Sequence, residues 1–152
     1  TDFLNKPITN LGSGLRESFK DITLFHLLTH TSGIRHYSSR KDWIRFAEMR
    51  CDSPKEAMGY FLNDKLKFQP GKKDLYTTFG MVVASHLLEQ ITGMTFTDAI
   101  NDLVPISQPI LIDSQNAIKA TPYVRKTFSG YEVYKGLSAE CKYGGGGLLA
   151  TS

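Results

Sequence analysis

Cysteine is scarce in this sequence. Cys51 and Cys141 are the two in 152 residues. They lie far apart and match no C-x-x-C or metal-ligand spacing, which excludes a disulfide-dense scaffold and a thioredoxin-like redox site. They are read as two unpaired thiols. Long apolar runs are missing as well. None approaches the roughly 20 residues that span a bilayer, so no transmembrane segment is expected. No signal- or transit-peptide pattern opens the chain at Thr1. Concentrated charge is also lacking. The net charge is +3, and the densest basic run, FQPGKKD, is a turn that includes Asp74. Nucleic acid recognition needs a clustered basic face, so nucleic acid is not an expected partner. Internal repeats and linker-like composition are absent too, which leaves one domain or part of one.

What is present suits a globular chain, with 41% apolar and 22% charged residues. Residues 1–21, with Pro7, Gly12 and Gly14, read as irregular. ITLFHLLTHTSG predicts a helix capped by Thr23 and ending at Gly33 in a left-handed residue. RKDWIRFAEMR predicts a second, with Trp43, Phe46 and Ala47 on one face. DSPKEAMGYFLNDKL opens with an S-x-x-E capping box, Ser53 to Glu56, and carries Pro54 at the first helical position. TTFGMVVASHLLEQITG predicts a long apolar helix ending at Gly93, and TFTDAINDLV a short one ending before Pro105. NAIKATPYV and YEVYKG then read as strands joined through Ser129 and Gly130. Helices first and strands afterwards point to an α+β architecture.

The stretch LTHTSGIRHY, Leu28 to Tyr37, gathers Thr29, His30, Thr31, Ser32 and His36. A serine hydrolase site here would need a base within hydrogen-bond reach of Ser32. His30 is two residues away, and side chains two apart on a helix do not face each other. There is no G-x-S-x-G elbow, and Ser32 before Gly33 fits a helix end. His26 and His30 share a helical face, as two zinc ligands would. However, Leu27 replaces the glutamate of H-E-x-x-H and no third ligand is evident, so the reading is hydrogen-bonded histidines and no metal. SSRK, Ser38 to Lys41, matches S-x-x-K. The charged residues after it indicate a surface helix, so Ser38 or Ser39 is read as an N-cap and not as a nucleophile.

LTHTSGIRHY, FQPGKKDLYTTFG and YGGGGLLATS together, in this order and at these separations, resemble the serine β-lactamase-related family, which includes class C β-lactamases, penicillin-binding proteins and esterase relatives. Phe68, Pro70, Gly71 and Tyr76 are similar to its F-x-P-G turn leading to a Tyr-x-Asn motif. GGGGLLATS resembles a glycine-rich turn that opens a later helix. HTSGIRHY, LYTTFG and TPYV resemble the mitochondrial serine β-lactamase-like branch of animals, which implies a mitochondrial location.

The resemblance implies a partial β-lactamase/transpeptidase-like fold, with residues 1–152 an internal fragment of a single domain. It implies Tyr76 as the catalytic position and Thr78, where the family has asparagine, as a substrate contact. The loop after Gly33, with Arg35, His36 and Tyr37, is placed at the cleft rim. The family's S-x-x-K should lie upstream of Leu28 and its Lys-Thr-Gly or His-x-Gly strand downstream of Ser152. Neither is in this chain, which is therefore expected to be inactive alone. In the family a serine forms an acyl-enzyme on an amide or ester. A free phenol, with a reference pKa of about 10, is a poor base, but an adjacent lysine ammonium stabilises the phenolate. The implied partner is a small-molecule or peptide substrate, with no metal or organic cofactor. Apolar surface meant for missing strands would drive homo-oligomers. The alternative is a non-catalytic structural or assembly protein on the same fold, for which Thr78 is compatible.

Overall fold

The computed structural model describes residues 3–105, 111–112, 123–126, 130–133 and 139–149. Five helices come first: α1 (Leu24–Leu28), α2 (Arg40–Ala47), α3 (Pro54–Met58), α4 (Thr78–Thr92) and α5 (Phe96–Leu103). Strand β1 (Leu111–Ile112) pairs antiparallel with β4 (Leu148–Leu149), and β2 (Tyr123–Lys126) pairs antiparallel with β3 (Gly130–Val133), Tyr123 opposite Val133. The α+β order of the sequence is thus present, mainly as a helical layer with a few short strands. The residues between β2 and β3, Ser129 among them, and those N-terminal to Tyr123 in NAIKATPYV lie outside the described residues.

Local chemistry sets the helix starts. Thr23, Ser39, Ser53, Thr77 and Thr95 each accept a backbone N–H three residues on, satisfying donors that have no partner inside the helix. The predicted box at Ser53 is only half formed. Ser53 caps the N–H of Glu56, but the Glu56 carboxylate accepts from Asp52 N–H at 2.9 Å. At α1 the box is complete with an unexpected partner, because His26 Nδ1 accepts Thr23 N–H at 3.2 Å. α4 ends at Gly93 with φ 69°.

The core centres on Phe79, fully buried on α4. Phe61 stacks on it with ring centroids 4.4 Å apart, and Phe46 meets it edge-on at 5.0 Å. Phe46 and Ala47 are buried as predicted, while Trp43 is only half-buried. Among its described residues, the N-terminal stretch read as irregular holds short 3-10 turns at Phe3–Asn5, Ile8–Asn10 and Glu17–Phe19, yet Ile8 and Phe19 are buried, as is Ile22 just after it, with Ile8 N–H bonded to Ile22 carbonyl at 2.9 Å. A largely apolar groove of about 460 Å³ runs along α4 past Met81, Leu88 and Ile91.

Two expectations are corrected, and a third falls outside the described residues. Cys51 and Cys141 are not free thiols: they form a disulfide across 90 residues, with Cα atoms 5.2 Å apart. The helix predicted to reach Gly33 stops at Leu28, because His30 takes a left-handed conformation (φ 58°) and turns the chain. Gly33 is left-handed too (φ 78°), but within a loop, where a Cβ would collide with the Phe68 carbonyl oxygen. Finally, Leu148 and Leu149 form β4; a helix opening further along would fall on residues 150–152, outside those described.

Candidate active site

The head of α4 is built from three segments that the sequence reading singled out. Residues 67–77 are stitched onto the HTSGIRHY stretch by hydrogen bonds from Lys67 N–H to Gly33 carbonyl (2.8 Å), Gly71 N–H to Thr31 carbonyl (2.9 Å) and Leu75 N–H to His30 carbonyl (2.9 Å). The Thr77 hydroxyl donates to Arg35 carbonyl at 2.7 Å and accepts Gly80 N–H. Two imidazoles complete the cap: His30 Nδ1 accepts Thr77 N–H at 3.3 Å, and His36 Nδ1 accepts Thr78 N–H at 3.2 Å. Three of the four donors at the helix start are thereby satisfied from outside the helix ladder.

Tyr76 stands immediately before this cap and is 60% exposed. Its ring lies 4.7 Å from the His30 ring and 5.4 Å from the His36 ring, the latter edge-on. Thr78 is 4% exposed. The glycine-rich turn covers it: a Cβ at Gly145 would stand 2.5 Å from Thr78 Cγ2, and one at Gly144 would stand 2.9 Å from Ser85 Oγ, seven residues further along α4. These glycines permit close approach of backbone to helix. The turn is anchored behind by the disulfide at Cys141 and by the Tyr143 hydroxyl, which donates to Cys51 carbonyl at 3.0 Å. Tyr143 has φ 44°. His30 and Tyr143 are the two non-glycine residues with positive φ among those described, and both support the surroundings of Tyr76 and Thr78. Uncommon backbone conformations held by their surroundings cluster at functional sites.

Neighbouring groups have other work. Ser32 is fully buried, its Oγ accepting Ile34 N–H. The Ser38 hydroxyl donates to Asp42 Oδ2 at 2.9 Å, and Lys41 is exposed on α2. Arg35 does not line an open rim. Its guanidinium is largely buried, bridges Asp42 and Asp64, and lies 4.9 Å from the Phe79 ring centre. Burial pushes the Tyr37 phenol up to about 12, and burial with the Asp42 carboxylate raises that of Tyr60, so both stay neutral. Burial lowers His36, with Arg35, His30 and Lys142 acting the same way and Asp42 opposing. No three His, Cys, Asp or Glu side chains are grouped as metal ligands among the described residues. His26 and His30 are instead spent on backbone N–H groups.

A model of the Beta-lactamase family matches residues 3–105. The chain belongs to the beta-lactamase family. It is 29% identical over 102 residues to the human serine beta-lactamase-like protein LACTB, described as mitochondrial, over 63% of this chain and 18% of that protein. Among solved structures, a penicillin-binding protein from Bacillus halodurans superposes with a TM-score of 0.70 at 20% identity, over 86% of this chain and 41% of that one. A D-stereospecific amidohydrolase from Streptomyces gives 0.68 at 18% identity, over 95% and 48%. The chain thus spans about a fifth of its curated human relative and under half of either structure. The fold is that of the beta-lactamase family, represented here mainly by its helical part.

The sequence reading named Tyr76, Thr78, His30 and His36, but separately. It assigned His30 to scaffold and His36 to a rim, and missed that His30 binds the residues on either side of Tyr76 and His36 the next one, Thr78. The signal was two histidines on either side of Gly33, a glycine in the left-handed region, with both rings reaching the same helix end.

Proposed function

We propose that the chain is part of a serine hydrolase-like protein that transfers acyl groups from an amide or ester through a serine acyl-enzyme, the serine and its lysine supplied by an S-x-x-K segment outside this sequence. The observation that carries this reading is the presentation of Tyr76: exposed, at the head of a 15-residue helix, and walled by two imidazoles that also fix the backbone around it. Family membership supports it, and the likeness to an amidohydrolase supports the amide as a substrate class. In this scheme Tyr76 acts as a phenolate beside the ammonium of the S-x-x-K lysine: the serine oxygen attacks the carbonyl carbon, the phenolate takes the hydroxyl proton, and that proton passes to the departing amine or alcohol as its bond to the acyl carbon breaks. Thr78 is the proposed substrate contact, which the turn at Gly145 must uncover.

That covering also favours a second reading, a non-catalytic structural or assembly protein whose cleft is closed. Intact-mass analysis separates the two. A longer form carrying S-x-x-K, mixed with an activated ester and quenched in acid, should gain one acyl adduct on serine. A folded protein with no adduct would favour the second reading. The 152-residue chain alone is expected to be inactive.

A mitochondrial location is proposed from the likeness to the human relative, in a subcompartment oxidising enough to keep the Cys51–Cys141 disulfide. Fractionation of expressing cells with thiol trapping tests this, and a reduced, cytosolic pool would contradict it.

A further inference from the structure

The hydrogen bonds around Tyr76 form a clamp. His30 holds the residue on each side of it, Leu75 N–H through its carbonyl at 2.9 Å and Thr77 N–H through Nδ1 at 3.3 Å. His36 Nδ1 holds the next, Thr78 N–H, at 3.2 Å. An imidazole accepting at Nδ1 carries its proton on Nε2. Both rings are therefore neutral in this arrangement, and both stand against the Tyr76 ring.

We propose that His36, working with His30, is a positioning residue: its neutral imidazole fixes the first turn of α4 through Thr78 N–H and so sets the directions in which Tyr76 and Thr78 present their oxygens. The proposal rests on the reading of Tyr76 as the proton-handling group. A proton added at His36 goes to Nδ1. An acceptor then becomes a donor facing an N–H, and the bond to Thr78 is lost. The groups facing His36 are Asp42 on α2, Lys142 on the glycine-rich turn, Arg35 and His30 on its own loop, and the phenols of Tyr37 and Tyr76. Asp42 favours the imidazolium, whereas Arg35, His30, Lys142 and above all burial oppose it. The balance lies below the ordinary value of 6.5. The His36 bond to Thr78 is therefore kept above 6.5 and lost as the pH falls through the lower, folded value.

Nuclear magnetic resonance on this chain tests the clamp without any turnover. In the unmodified protein the Thr78 amide and the Tyr76 ring signals should shift together with the His36 imidazole, at one midpoint below 6.5. His36→Asn places a non-titrating oxygen near the Nδ1 position. It should keep the Thr78 amide protected and remove the pH step. His36→Phe keeps a ring but no acceptor. At neutral pH it should speed exchange of the Thr78 amide by roughly tenfold, the worth of one net hydrogen bond, and displace the Tyr76 signals. Tyr76 and Thr78 signals that ignore the His36 titration would overturn the proposal even if neither variant folds. So would a folded His36→Phe protein with unmodified Thr78 exchange. These are ground-state measurements, so they fail or succeed independently of whether Tyr76 moves a proton.

Discussion

A disulfide joins Cys51, between α2 and α3, to Cys141, in the turn that covers Thr78. Both residues are buried, at 3% and 2% exposure, so the bond belongs to the core. Tyr143, two residues on, donates its hydroxyl to Cys51 carbonyl, which ties the same two segments a second time.

Removing the disulfide should be costly. It closes a loop with a sequence separation of 90, and loss of such a crosslink typically destabilises by roughly 2–5 kcal/mol. Urea unfolding of the oxidised chain and of the Cys51→Ser, Cys141→Ser double variant should show the variant at a clearly lower midpoint. Equal midpoints would show that the turn is held without it.

Asp42 ties the loop after Gly33 to α2. Burial alone would raise its carboxyl, but hydrogen bonds from Ser38 N–H, the Tyr60 and Ser38 hydroxyls, and the Arg35 charge together lower it from 3.8 to about 2. A depressed carboxyl contributes stability that is present above 3.8 and lost as the pH falls through about 2. Asp42→Asn should therefore cost roughly 2 kcal/mol at neutral pH and flatten the acid side of the stability profile. Thermal melts across that range check it, and a variant with the parental acid profile would rule it out.

Gly33 and Gly93 share a left-handed backbone, φ 78° and 69°, but differ in space. A Cβ at Gly33 meets the Phe68 backbone, and one at Gly93 meets nothing within 4 Å. Gly93→Ala should cost about 1 kcal/mol for backbone strain alone, and Gly33→Ala roughly 2 kcal/mol or more. Comparable losses in paired unfolding curves would mean that the loop relaxes around Gly33.

These contrasts show what was legible in the sequence. The caps at Thr23, Ser39 and Ser53 and the stop at Gly93 are written within a few residues, because the groups that satisfy a helix end lie close along the chain. The same holds for α4, whose apolar length marks it. The stop of α1 at Leu28 was not legible, since nothing local marks His30 as left-handed, and its ring contact lies 47 residues ahead, at Thr77 N–H. The disulfide was not legible either, because nothing local announces a partner 90 residues away. The glycine run was recognised as a turn, but the reason for Gly144 and Gly145, close approach to Ser85 and Thr78, exists only once α4 is beside it.

Ser38 should stay silent to serine-directed reagents. Its hydroxyl donates to Asp42, and its backbone N–H binds the same carboxylate oxygen at 2.7 Å. The lysine of the S-x-x-K match, Lys41, is exposed on α2. A fluorescent penicillin should leave the 152-residue chain unmodified, read by gel fluorescence and intact mass. Stoichiometric labelling at Ser38 would place the nucleophile in this chain after all.

Tyr76 is proposed to handle the proton, and the acylation rate of a longer form carrying S-x-x-K tests this most directly. Tyr76→Phe removes one oxygen from a side chain that is 60% exposed, so circular dichroism and melting should match the parent. Stopped-flow acylation with an activated ester should slow by roughly 10²–10⁴, the usual worth of a positioned general acid or base. A folded Tyr76→Phe protein that acylates at the parental rate would contradict the assignment.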